Sequence, residues 1–227
     1  MISYFIYFQM VKSESVINSS YNSRLDLYAE HVIRGDITTA DGTVLAKTTV
    51  SDDGSETREY PYGRMFAHVV GYTNNGKGGL ESQYNFNLLR SHSFFLTQII
   101  NDLKNKKNIG DTLVTTLDYD VQETAYKALG DRDGAVVVME VKTGKILALV
   151  SKPDFDPNTL AERWDDIVSD ENSSVLLNRV TSGLYPPGST FKIFTTLEYV
   201  HENSNYQDYS FDCEGELNVD GNEIHCY

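Results

Sequence analysis

Cysteine and basic charge are both scarce in this chain. Only two cysteines, Cys213 and Cys226, occur in 227 residues, and a C-x-x-C metal motif is absent. The five histidines, at 31, 68, 92, 201 and 225, form no H-x-x-x-H pair. Lys and Arg number 19 against 33 Asp and Glu, a formal net charge of -14. Such an acidic surface argues against nucleic acid as a partner, because phosphate binding needs a basic face. No long apolar run is present either. Met1 to Val11 is apolar and aromatic-rich, but it is about half of the roughly 20 residues that span a bilayer. It also lacks the basic segment and small-residue cleavage site of a signal peptide. No internal repeat is seen. Hydrophobic residues make up 40% of the chain, which supports a packed core and one or two domains.

The densest signal lies at Tyr185-Pro186-Pro187-Gly188-Ser189-Thr190-Phe191-Lys192. Pro-Pro-Gly cannot sit inside a helix, so it forces an irregular approach. Apolar residues at 193, 194, 197 and 200 then follow helical spacing. Ser189 falls at the helix start and Lys192 one turn on, on the same face. A hydroxyl and an amine so placed suit a nucleophile and its base, provided the amine is kept neutral. Phe191, Ile193 and Phe194 are the neighbours expected to exclude water from Lys192. A bare S-x-x-K would be read as an N-cap serine and a solvated lysine; its surroundings reverse that reading.

With Asn178-Arg179 before it, this segment resembles the active-site block of penicillin-binding proteins. Further blocks follow the family's order. Ile109-Gly110-Asp111 through Asp118, with Val121-Gln122, resembles the start of the transpeptidase domain. Gly134 to Ser151 resembles its first hairpin, and Asp154-Phe155-Asp156-Pro157-Asn158 the loop after it. Arg34-Gly35-Asp36-Ile37, Asp41 to Ala46, and Gly78-Gly79-Leu80-Glu81 resemble the N-terminal extracytoplasmic part of class B members.

The resemblance implies an α+β chain: the first part of a serine β-lactamase-like transpeptidase fold, preceded by a small strand-rich pedestal or dimerisation-type domain. It divides the chain into a partial membrane anchor at 1–12, a non-catalytic domain at 13–108 and a transpeptidase part at 109–227. It implies a D,D-transpeptidase in which Ser189 is acylated by peptidoglycan stem peptides and Lys192 is the base. β-Lactams would acylate the same serine, with no metal and no cofactor. A single-pass anchor would hold the catalytic part outside the cell membrane, beside a membrane glycosyltransferase partner. The family's Ser-x-Asn and Lys-Thr-Gly motifs do not follow Lys192. The chain is therefore expected to be truncated at both ends and inactive alone. A β-lactamase or β-lactam sensor uses the same S-x-x-K chemistry, and a non-catalytic cell-wall scaffold is the third reading.

Other features read as structural. Lys142-Thr143-Gly144 precedes the nucleophile and reads as a hairpin turn. Asp154, Asp156, Asp165 and Asp166 read as turn and helix-start signals. Glu81 belongs to a non-catalytic block. A Ser-His pairing through His201 is weaker than the Ser-Lys one. Val136 to Val138 and Ile146 to Val150 read as strands buried on both faces. Polar links are expected at Lys12–Glu30, with a short helix near Arg24–Ala29, and at Asn101–Asn108. Cys213 and Cys226 flank a hairpin turning near Asp220-Gly221, where a disulfide and two thiols both remain open.

Overall fold

The computed structural model describes residues 2–12, 16, 29–92, 101 and 106–225. Most of the helix expected near Arg24–Ala29 lies outside them, as does much of the Asn101–Asn108 link. The chain forms two compact units, Met1–Gly183 and Leu184–Tyr227.

The first unit opens with helix α1, Ile2–Tyr7, continued by a π-turn over Phe8–Lys12. Among the described residues no helix is long and apolar enough to cross a membrane. Strand β1, Val32–Ile33, is followed by β2, Ile37–Thr38, β3, Val44–Val50, and β4, Glu56–Glu59. The β2–β3 turn falls at Asp41-Gly42, where Gly42 takes φ 90, a backbone region open to glycine. A 3-10 turn at Gly63–Phe66 leads into short helices α2, Ala67–Val70, α3, Gly79–Gln83, and α4, Asn85–Leu89. Strand β5, Asn108–Ile109, pairs parallel to β1, and β6, Leu113–Val114, pairs parallel to β2. The larger sheet thus runs in the order β4-β3-β2-β6. The Arg34-Gly35 and Gly110-Asp111 segments cross at backbone contact. A Cβ on Gly35 would lie 2.1 Å from the Asp111 carbonyl oxygen, and one on Gly110 2.0 Å from that of Leu88.

Helix α5, Tyr119–Leu129, begins where the Asp118 carboxylate accepts from the Val121 N–H at 3.0 Å. Strands β7, Gly134–Met139, and β8, Ile146–Lys152, form the expected antiparallel hairpin, with its turn at Val141–Thr143. Burial departs from expectation. Val136, Val138, Ala148 and Val150 pack with Ala125 of α5, but Val137 and Met139 on the other face of β7 are half exposed. Period-two alternation turns successive side chains to opposite faces, and among the described residues one face of β7 is partly covered and the other is exposed. A 3-10 turn at Leu160–Arg163, helix α6, Trp164–Ser169, and helix α7, Arg179–Ser182, complete the unit.

One core cluster joins Ile37, Leu45, Phe66, Val70 and Leu88 to Leu117, with Ile146 against it. A second gathers Phe155, Leu160 and Ile167 around Ala67. Both therefore mix residues from the N-terminal blocks with residues beyond 113.

The second unit holds a 3-10 turn at Gly188–Phe191, helix α8, Lys192–Glu202, and a 3-10 turn at Tyr206–Asp208. It closes with the antiparallel hairpin of β9, Glu216–Val219, and β10, Asn222–His225. Asp220 and Gly221 form its turn with φ 51 and 84, as a two-residue hairpin turn requires.

Candidate active site

Gly188 takes φ 54 with open space around it, so the chain turns there through a conformation other residues rarely adopt. The Pro187 carbonyl then accepts both the Thr190 N–H at 3.2 Å and the Thr190 hydroxyl at 2.5 Å. These two bonds fasten the first turn without a side-chain N-cap. Ser189 sits in that turn, and the Lys192 N–H donates to the carbonyl oxygens of Ser189 and Thr190. The two residues are thus one turn apart, as their spacing predicts. Both are exposed, and no hydrogen bond joins their side chains among the described residues.

The expected apolar cover of Lys192 is not formed. Phe191, Ile193 and Phe194 are 53%, 63% and 64% exposed. Helix geometry explains this, because residues one or two positions apart point in different directions and do not face each other. The helical neighbours of Lys192 are Gly188, Ser189, Thr195 and Thr196, all small or polar. The apolar residues instead make their own stripe, with the Phe191 and Phe194 rings 6.0 Å apart. His201 stands in the last turn of α8, about 18 Å along the axis from Ser189 at 1.5 Å per residue, so it cannot reach that hydroxyl.

Leading toward this segment, Asn178 caps α7 by accepting the Val180 N–H at 3.1 Å and donates to the His68 carbonyl at 3.1 Å. The Arg179 N–H donates to Ser151 Oγ at 3.0 Å, and that hydroxyl donates to the Leu177 carbonyl at 3.1 Å. Asn178 is one of three carboxamides that grip the backbone of residues 60–68. The Asn158 amide bonds both the N–H and the carbonyl of Tyr60, at 2.9 and 3.0 Å. The fully buried Gln122 donates to Met65 O and Leu149 O and accepts from Leu149 N, at 2.7, 2.8 and 2.8 Å. This clamp escaped sequence reading. A lone Gln or Asn carries no pattern, and its partners are main-chain atoms without identity.

Glu81 is structural, as expected. It is fully buried between Arg34 Nε at 2.5 Å and Arg58 Nε at 2.8 Å. Burial lowers the Arg34 pKa, opposed by the Glu81 charge. Asp154 accepts from Arg64 at 3.1 Å and from the Tyr126 hydroxyl at 2.7 Å, and Asp156 accepts from Asn158 N at 2.9 Å. Asp165 and Asp166 occupy the first turn of α6. Cys213 is exposed in the loop before β9, while Cys226 lies outside the described residues.

Family comparison divides the chain in the same order. Residues 34–113 match the penicillin binding protein A dimerisation domain, and residues 134–227 the penicillin binding protein transpeptidase domain. The peptidoglycan D,D-transpeptidase PbpA of Mycolicibacterium smegmatis is 38% identical over 190 residues, covering 76% of this chain and 38% of that protein. MrdA of Acinetobacter baumannii, another peptidoglycan D,D-transpeptidase, is 32% identical over 176 residues, 64% of this chain and 26% of its own. Penicillin-binding protein A from M. tuberculosis, solved as a penicillin G acyl-enzyme complex, superposes with TM-score 0.76 at 29% identity, covering 86% of this chain and 48% of that one. The D,D-transpeptidase domain of a peptidoglycan glycosyltransferase from Eggerthella lenta gives TM-score 0.73 at 33% identity, covering 86% and 43%. The chain thus spans well under half the length of the curated relatives it matches.

Proposed function

The chain belongs to the class B penicillin-binding proteins, with a dimerisation-type domain ahead of a transpeptidase domain, and on that premise we propose that the protein cross-links peptidoglycan stem peptides through an acyl-serine at Ser189. The observation that carries this reading is the Pro-Pro-Gly turn that sets Ser189 one helical turn before Lys192, within the stretch matched as transpeptidase.

The Ser189 hydroxyl oxygen attacks the carbonyl carbon of the terminal D-Ala-D-Ala peptide, and neutral Lys192 takes the hydroxyl proton. The tetrahedral oxyanion collapses, the peptide C–N bond breaks, and D-Ala leaves with the proton that Lys192 returns. An amine of a neighbouring strand then attacks the ester, gives up one proton and frees Ser189. A β-lactam enters the same first step; its ring C–N bond opens and the acyl group stays on the serine. An ammonium cannot accept the proton, so the exposed Ser189–Lys192 edge must be covered when substrate is bound.

The same reading assigns residues 1–12 to part of a single-pass membrane anchor, 13–108 to the non-catalytic domain and 109–227 to the N-terminal part of the catalytic one. The catalytic part then lies outside the membrane, beside a membrane glycosyltransferase. Protease treatment of intact, wall-stripped cells tests the topology: residues from Arg34 onward are cleaved, and full protection overturns it.

Labelling the full-length protein with a fluorescent penicillin, followed by mass spectrometry, tests the chemistry. Ser189→Ala abolishes the adduct. Lys192→Arg loses nearly all acylation, because a guanidinium stays protonated. An adduct on another serine overturns the assignment, and rapid penicillin turnover in place of a trapped adduct identifies a β-lactamase.

A further inference from the structure

The first unit holds a cavity that the acyl-transfer chemistry does not use. It has a volume of about 380 Å³ and opens where α2 and α3 meet the β8 and α7 segments. This lies within the 300–1,000 Å³ typical of small-molecule sites. Leu80, Leu149, Phe155 and Leu176 supply apolar walls, and Gln83, Asn178 and Thr181 a polar edge.

The lining has a distinct electrical character. None of its described residues is Asp, Glu, Lys or Arg. Its imidazole, His68, is buried, sets its ring edge-on to Phe155 at 5.2 Å and holds Nε2 3.1 Å from the Pro153 carbonyl. Burial lowers the His68 pKa, which keeps the ring neutral. A carboxylate or ammonium entering here would shed water and meet no opposite charge among the lining residues.

The polar edge keeps unspent hydrogen-bonding capacity. Among the described residues Thr181 Oγ1 reaches only long contacts, 3.5 Å to the Asn178 carbonyl and 3.4 Å to Ser182 Oγ. The exposed Gln83 carboxamide bonds no group among the described residues. Asn178 spends one of its two amide hydrogens on His68 O.

We propose that this cavity binds an uncharged small molecule with an apolar body and a carboxamide or hydroxyl edge. The body lies against Leu80, Leu149, Phe155 and Leu176, and the edge meets Gln83 and Thr181. Such a ligand touches residues on both sides of the carboxamide clamp and stabilises their union by mass action. The site is independent of acylation at Ser189, so failure of either reading leaves the other standing.

Two probes of one shape and different charge test it: indole-3-carboxamide and indole-3-carboxylate, titrated against the whole chain by saturation-transfer NMR. The amide should bind and the carboxylate should bind about tenfold or more weakly. Gln83→Trp and Thr181→Trp, at exposed positions that tolerate a large side chain, should each abolish amide binding with the circular dichroism spectrum unchanged. Thr181→Val, which removes only the hydroxyl's hydrogen-bonding capacity, should weaken it several-fold. The proposal is overturned if the amide shows no transfer up to its solubility limit, or if the carboxylate binds equally well. Amide binding that survives both tryptophan variants, or is untouched by Thr181→Val, overturns it too.

Discussion

The two compact units are held together by different physics. Met1–Gly183 contains all three core clusters, a fully buried glutamate between two arginines, and a fully buried glutamine with three hydrogen bonds. From Leu184 to His225 no residue is buried. What orders the second unit is local: a left-handed glycine, a carbonyl capped twice by Thr190, and a tight Asp-Gly turn. The residues proposed for chemistry thus belong to a different unit from the residues that supply stability. Substitutions in the first unit should register as unfolding, and those in the second as altered reactivity with stability little changed.

Removing Glu81 should test this contrast most severely. Glu81→Ala leaves Arg34 and Arg58 facing each other without a counter-charge, and Arg58 Nη2 already lacks a partner among the described residues. The loss should be about 3–5 kcal/mol, measured by urea unfolding. Trp164, the single tryptophan, sits in the first unit with its ring 5.8 Å from that of Tyr72, so its fluorescence reports that unit alone. An unchanged midpoint would show that the triad contributes nothing to the first unit.

Gln122→Leu keeps the volume and removes the side-chain partners of Met65 O, Leu149 O and Leu149 N. A loss of about 3 kcal/mol is expected, since each orphaned buried group costs roughly 1–3 kcal/mol before relaxation. The Trp164 transition should stay single, because Gln122 bonds across the core rather than within one element. Two separated transitions in the wild-type chain would instead show that the regions before and after residue 113 unfold independently.

His68 supplies the pH dependence. Burial lowers its folded pKa, with Asp154 opposing and Arg179 reinforcing the shift. Between the folded value and the ordinary one near 6.5, the unfolded chain binds more protons than the folded chain. Stability is therefore complete above that ordinary value and declines as pH falls through the window below it. Unfolding midpoints measured from pH 7.5 downward should show this slope, and His68→Asn should flatten it. An unaltered slope would assign acid sensitivity to other groups.

The smallest effect sharpens the comparison from the other side. Phe194→Ala removes a large apolar side chain, a change that costs 3–5 kcal/mol in a core. Phe194 is 64% exposed, so the Trp164 transition should move by less than about 0.5 kcal/mol. A loss of core size would mean that the second unit's helix is buried in solution.

Legibility followed the range of the interactions. Turns at Asp41-Gly42, Thr143-Gly144 and Asp220-Gly221 were readable because a left-handed backbone at glycine is set by the residue itself. The Ser189–Lys192 spacing was readable because one helical turn is a local length. Cover for Lys192 is not legible in the sequence, because residues adjacent in sequence are turned 100° from each other on a helix surface. The open face of β7 is not legible either, because a run of valines reports β preference and apolarity, not how many faces find a neighbour.

By itself, then, the sequence determined the turns, the helix that carries Ser189 and Lys192, and the family to which the blocks belong. All depend on residues a few positions apart or on order along the chain. Only the tertiary structure decided that Glu81 joins Arg34 to Arg58, that Gln122, Asn158 and Asn178 hold one stretch of backbone, and that an uncharged cavity remains beside His68. Those outcomes depend on groups 23 to 110 residues apart. Their partners include main-chain carbonyls that every residue possesses, so no side-chain pattern could announce them.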